Sequence, residues 1–241
     1  MTDRSAAIIR FAELLHDARA TGRPLATVPA DLVPLDTDEA DVVQFAWADL
    51  EGPIGGYKVM QVADRDGFFG VIPAARISTA PAVLPASDAL LKIEIEVAAL
   101  FGRDLPGRPD GAPYGVEEVT EAIAGAFPVF ELLETRLPAS PPPTATRADA
   151  MSNWGLVTGP LVTDWRAVVR SDLAVRLTIG DRVVVDQVGG HPSEAPFHAL
   201  TWLANALVRA GRPLRAGHAV TTGAYGGGHV IVAGDHVTGE I

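Results

Sequence analysis

An α+β fold, with a short helical region ahead of a larger strand-rich unit, is what the sequence predicts, and three patterns carry that reading. Residues 3–21 are amphipathic, with charges of both signs. Segments such as "LLKIEIEVAALF", "LAVRLTIG" and "DRVVVDQV" alternate apolar and polar residues with the period of a strand. Residues 194–211 place Phe197, Leu200, Leu203, Ala204, Leu207 and Val208 on one helical stripe that stops at "GRP". At 241 residues and 48% hydrophobic content, the chain suits one large domain, or one and a half, with ample material for a core.

Taken in order, the helix over 3–21 comes first. "DTDEA" (36–40) can cap a second helix, because acidic and hydroxyl side chains accept from the exposed amides of a first turn. After Lys58 the pattern changes to short strands and turns, and "DRDGFFGVIPAARIS" (64–78) carries the Gly and Pro punctuation of a loop. "PYGVEEVTEAIAGAF" (113–127) reads as a helix ending before Pro128. "PVFELLETRL" (128–137) reads as a strand that sets Glu131 with Val129 and Leu133, an acid on a largely apolar face. "LPASPPPTATRADAMSN" (137–153), with three consecutive prolines, is expected to be non-helical, a long surface or active-site loop. Strands at 154–159, 173–180 and 181–190 follow, then the helix at 194–211, then strands to the end.

Composition excludes several functions. A net charge of −11 argues against nucleic acid, whose phosphates need clustered Lys and Arg. No apolar run reaches the roughly 18 residues of a membrane span. The N-terminus reads as a helix and not a signal peptide. With no cysteine there is no disulfide, zinc–thiolate site or thiol nucleophile, and the cytoplasm is the default compartment.

Two places invite chemistry. In the strand beginning at Leu91, Lys92, Glu94 and Glu96 share one face while Ile93, Ile95 and Val97 share the other. The two glutamates are then about 7 Å apart at Cα. They repel unless water, a basic partner or a metal ion offsets the charge, so the pair is either a solvated face or a ligand set. The second place is Lys58, one of only two lysines, inside the glycine-rich apolar "GPIGGYKVMQV". Either it snorkels to the surface, or desolvation lowers its pKa toward a range useful for proton transfer. Other sites are set aside. "GAYGGGH" (223–229) lacks the lysine of a P-loop, the six histidines have no HExxH-like spacing, and no G-x-S-x-G elbow marks Ser152 as a hydrolase nucleophile.

The order of "GGYKV" (55–59), "IEIEVAALFGRDLP" (93–106), "PVFELLETRL" (128–137), "ADAMSNWGLVTG" (148–159) and "GGHPSEAPFHALTWLANALVRAGRPLRAGHAVTTGA" (189–224) resembles the 2-keto-4-pentenoate hydratase family of the fumarylacetoacetate hydrolase superfamily over nearly the whole chain. The resemblance implies a highly curved mixed β-sheet roll with flanking helices, the catalytic unit over residues 51–241 and a helical N-terminal region over 1–50. It implies that Glu94, Glu96 and Glu131 hold Mg²⁺ or Mn²⁺, and that a 2-oxo acid binds the ion and passes through a metal-stabilised enolate. It assigns proton transfer to Lys58, hydrogen bonding of substrate or water to Ser152, and pocket contacts to Asp66, Thr222 and Gly223. The implied activity is hydration or dehydration of a 2-oxo-enoate by a lyase that forms homo-oligomers and can associate with a pathway enzyme. The chain departs from the family where Ala150 follows Asp149 in place of the usual Asn, in a shorter loop after Lys58, and in the proline run. Those departures keep open a 2-oxo-acid decarboxylase, a tailoring enzyme for a larger 2-oxo or 1,3-dicarbonyl compound, and, in another class, a non-catalytic partner subunit.

Overall fold

The computed structural model describes residues 3–61, 67–85, 91–193 and 196–241. Helices α1 (Asp3–Thr21) and α2 (Thr37–Glu51) open the chain. Asp36 caps α2 by accepting from the Glu39 N–H at 2.8 Å, so the acidic cluster works as the cap its composition suggests. Phe11 and Leu15 of α1 and Val43 and Trp47 of α2 are buried in the same core as Tyr57 and Phe69. Each such side chain contributes roughly 1.5–3 kcal/mol through burial.

The strands are β1 (Ile54–Met60), β2 (Phe68–Pro73), β3 (Ile77–Thr79), β4 (Leu91–Phe101), β5 (Ile123–Leu133), β6 (Asn153–Thr158), β7 (Ala174–Ile179), β8 (Arg182–Val188), β9 (Ala219–Thr221), β10 (His229–Ile231) and β11 (Val237–Glu240). Three further helices are α3 (Val116–Thr120), α4 (Pro143–Ala148) and α5 (Pro196–Arg209). The large sheet runs β2-β1-β9-β4-β5-β6-β3, with β10 also on β4, while β11-β7-β8 form a smaller sheet. It is mixed: β1 pairs with β9 and β3 with β6 in parallel, and the other pairs are antiparallel.

Connectivity forces the large sheet to roll. Its two ends in the strand order, β2 and β3, are joined by the single 3₁₀ turn Ala74–Arg76. Four residue steps span at most about 14 Å. A flat sheet would hold those end strands about 29 Å apart at its usual strand spacing. The roll therefore has an inside, filled toward one end by Ile72, Ala98, Val129, Leu156 and Ala219. Outside, Ile93, Ile95, Val97, Leu132 and Val220 belong to the main core with Leu200, Leu203 and Leu207 of α5.

Three local expectations are corrected. The segment 113–127 is helical only over α3 and becomes β5 at Ile123, because pairing with β4 from Phe101↔Ile123 through Lys92↔Leu133 overrides its local helical pattern. Gly125 fits this role, since a Cβ there would lie 2.6 Å from Leu161 Cδ1. The expected loop at 64–78 contains β2 and β3, with Pro73 at the strand terminus where a missing N–H is tolerated. The proline-rich segment contains α4, which starts at Pro143, because a proline at the first helical position lacks only an N–H that would be unpaired anyway. No helix among the described residues is long and apolar enough to cross a membrane.

Candidate active site

Two adjacent antiparallel strands bring the acids together. Glu94 of β4 lies directly opposite Glu131 of β5, and Glu96 follows two residues on, on the same face. Carboxylate oxygens of Glu94, Glu96 and Glu131 all lie within 4.8 Å of one another. Glu96 is 2% and Glu131 0% exposed, so the solvated-face reading fails for this strand pair. From β1, Lys58 extends its Nζ to 2.7 Å from Glu131 Oε1.

Burial and mutual repulsion govern the charges. The pKa of Glu96 is pushed well up, first by burial and then by Glu131 and Glu94, against the opposing pull of Lys58 and the Gly223 N–H. That of Glu94 is raised by burial and by Glu131. Of the two readings open for Lys58, the lowered pKa is reversed by the structure. Burial does disfavour its ammonium, but Glu131, Glu96 and Glu94 together outweigh burial and raise it.

The donor set fits a hard divalent cation. Three carboxylates converge, and Glu131 Oε2 is buried with no hydrogen-bond partner. Oxygen-only ligands suit Mg²⁺ or Mn²⁺ over softer metals.

The cavity holding Lys58 and the three acids is about 420 Å³, with Met60, Phe68, Leu133, Met151 and Pro192 among its walls. A larger cavity of about 840 Å³ lies against the other face of β4 and β5, lined by Leu91, Ile93, Phe130 and Leu132. Its size does not make it the better candidate, because the acids and Lys58 all face the smaller one.

The remaining expected site residues are placed unequally. Gly223 lines the cavity and donates its N–H to Glu96 Oε2 at 2.9 Å. Its φ is +123°, and a Cβ would lie 2.6 Å from Pro192 Cγ, so glycine is required twice over. Thr222 is buried behind it, donating to the Val97 carbonyl at 3.2 Å, with its Oγ1 3.5 Å from His191 Nε2. At the turn after α4 it is Met151 that lines the cavity. The next residue, Ser152, is engaged through its backbone, donating to the Asp149 carbonyl and accepting from the Glu134 N–H, each at 2.9 Å. Asp66 lies outside the described residues.

A support under this turn was not apparent from the sequence. Ala150, Met151 and Ser152 take positive φ values of 47°, 52° and 64°, three successive non-glycine residues in a costly region. Asp149 holds the start of the run. Its carboxylate meets Arg136 Nε at 2.5 Å and the Arg136 N–H at 3.1 Å, with both side chains buried. Asn153 holds the end, its carbonyl accepting from Arg19 and Arg136 at 2.7 Å each, and its Nδ2 donates to Glu131 Oε1 at 2.8 Å. Burial, and after it the neighbouring Arg136, brings the Arg19 pKa down to about 9. The run itself contains no glycine or asparagine, so its left-handed backbone is not legible from residue type.

Residues 56–241 match the model of the fumarylacetoacetate (FAA) hydrolase C-terminal family, well over half of the chain. The chain belongs to the fumarylacetoacetate hydrolase family. Within this family it is similar to 2-keto-4-pentenoate hydratase 2 of Dechloromonas aromatica (strain RCB), at 29% identity over 94% of this chain and 90% of the relative. It is also similar to the TodF product hydratase of Pseudomonas putida, at 30% identity over 97% and 91%. Among solved structures, 4-oxalocrotonate decarboxylase from Pseudomonas putida G7, complexed with magnesium and adipate, superposes with a TM-score of 0.81 at 21% identity, over 99% of this chain and 94% of that one. That likeness bears on the fold, and this fumarylacetoacetate hydrolase family member shares it over its whole length.

Proposed function

We propose that this chain is a divalent-metal-dependent hydro-lyase that hydrates a 2-oxo-enoate or carries out the reverse dehydration. The observation that carries the reading is the contact of Lys58 with Glu131 inside a carboxylate trio that opens into an apolar cavity. Glu94, Glu96 and Glu131 would hold Mg²⁺ or Mn²⁺. When bound, the ion would polarise the 2-oxo carbonyl and offset the negative charge that now holds Lys58 protonated.

Lys58 would move the proton at substrate C3, and what supports this is that its side chain lines the cavity beside the three acids. Gly223 fixes Glu96 and shapes the wall, Thr222 braces that turn from behind, and Ser152 would orient substrate or water once one of them reaches the turn. Met60, Phe68, Leu133 and Met151 offer an apolar surface to an unsaturated tail and exclude bulk water from the proton transfer. A decarboxylase of 2-oxo-dioic acids would share the need to stabilise negative charge on the 2-oxo oxygen but needs a partner for a second carboxylate, and this apolar wall favours the hydratase reading. A non-catalytic subunit would carry buried, mutually repelling acids to no purpose, and their retention beside Lys58 favours an enzyme.

The test is proton exchange at C3 of pyruvate or 2-oxobutanoate in D₂O with Mg²⁺ or Mn²⁺, followed by NMR. Exchange that requires both the ion and Lys58 is expected. Exchange independent of both would sink the proposal, as would none with any 2-oxo acid while the protein binds a partner enzyme tightly and alters its activity.

A further inference from the structure

Glu131 is held asymmetrically. Its Oε1 meets two donors, Lys58 Nζ at 2.7 Å and Asn153 Nδ2 at 2.8 Å, whereas Oε2 is buried with no partner. A carboxylate oxygen has two lone pairs, and both on Oε1 are engaged. Asn153 is itself fully buried at the first position of β6, and two guanidinium groups, those of Arg19 and Arg136, grip its carbonyl. Its amide therefore stands on a fixed base. Among the described residues, Asn153 Nδ2 donates to Glu131 while its Oδ1 is buried with no partner.

We propose that Asn153 is a positioning residue which, together with Lys58, occupies Oε1 of Glu131, so that this acid presents only Oε2 to a cation and the site favours Mg²⁺ or Mn²⁺ over Ca²⁺. The reasoning follows from the ions. Ca²⁺ takes six to eight oxygens and accepts both oxygens of one carboxylate, while Mg²⁺ demands near-octahedral geometry at shorter distances. A glutamate with one oxygen already engaged meets the second demand and denies the first. The inference rests on the proposed reading of the trio as a metal site.

Calorimetry on the full chain, stripped of metal and titrated with MgCl₂, MnCl₂ and CaCl₂, tests it in wild type, Asn153→Leu and Asn153→Ala, with circular dichroism melting to confirm folding. Both variants delete the donor, and the leucine nearly preserves the volume. Supporting residues of this kind contribute about 10- to 100-fold in metal affinity. Mg²⁺ and Mn²⁺ affinities are expected to fall by that factor and Ca²⁺ affinity by less, which lowers the Mg²⁺:Ca²⁺ ratio, a quantity that simple destabilisation leaves alone. Unchanged affinities, or an equal fall for all three ions, overturn the proposal. If neither variant folds, the wild-type ratio decides, because a preference for Ca²⁺ contradicts presentation of a single oxygen. A wild type that binds none of the ions overturns the metal reading of the trio itself, and this inference with it.

Discussion

Lys58 Nζ lies 2.7 Å from Glu131 Oε1, the cation in contact with a cluster of three carboxylates. Burial and mutual repulsion raise the pKa values of Glu94 and Glu96, and the acids in turn raise that of Lys58. The site is therefore electrostatically frustrated, and on the proposed reading a dication would relieve it.

The pKa values of Glu94 and Glu96 lie above the ordinary carboxylate value in the metal-free protein, through burial and then repulsion from neighbouring carboxylates. For a raised acid, the stability it contributes is complete below its unfolded pKa and is lost as pH rises through the folded one. Melting of chelator-treated protein should accordingly move to lower temperature as pH rises from the ordinary carboxylate range through the raised folded-state values. Glu96→Gln should flatten that slope. Mg²⁺ at a hundred times its Kd should restore about 2.7 kcal/mol to the wild type. A pH-independent melting temperature, with no response to Mg²⁺, would contradict the frustrated site.

On the proposed reading, replacing any one of the acids with Gln would remove the charge of a ligand oxygen. For each of Glu94→Gln, Glu96→Gln and Glu131→Gln the loss of Mg²⁺ affinity should exceed the roughly 10- to 100-fold typical of a merely supporting residue. Equal affinity by calorimetry in wild type and all three variants would refute the ligand assignment.

Lys58→Ala should lower C3 proton exchange by about 10²- to 10⁴-fold, the usual contribution of a positioned acid–base group, while leaving the acids to bind metal. Lys58→Arg should not restore exchange, because a guanidinium keeps its proton at any working pH. Recovery of exchange in the arginine variant would show that Lys58 supplies only charge.

Asp149→Ala removes the partner of a buried Arg136, and stranding one member of such a pair costs about 3–5 kcal/mol. Urea unfolding monitored by circular dichroism should show that loss. A change below about 1 kcal/mol, the scale of an exposed pair, would mean that the pair does not hold the left-handed turn at 150–152.

Much of the scaffold was legible locally. The helices at α1 and α5 follow from amphipathic spacing, and α2 from its "DTDEA" cap, because i,i+3 and i,i+4 neighbours lie within one turn of the chain. The alternation in β4 placed Glu94 and Glu96 on one face for the same reason. β5 was half legible. Its "PVFELL" end alternates as a strand should, but "EAIAGAF" has a helical pattern that only cross-strand pairing with β4 defeats.

What the amino-acid sequence determined by itself was which residues could do chemistry: an E-x-E strand, an isolated lysine among glycines, a third acid on an apolar face. Whether they meet was decided by tertiary structure. Lys58, Glu94 and Glu131 come from strands far apart in the chain, and only the rolling of the sheet carries β1, β4 and β5 around one cavity. The charge on Lys58 was decided there too, since its burial and the opposing attraction of three acids on other strands both come from what packs around it. The same holds for the left-handed turn at 150–152 and for Asn153, whose flanking carbonyls are held by Arg19 and Arg136 from separate elements. A side chain's spacing is a property of its own segment. Its desolvation, its partners and the strain it can sustain are properties of everything packed against it.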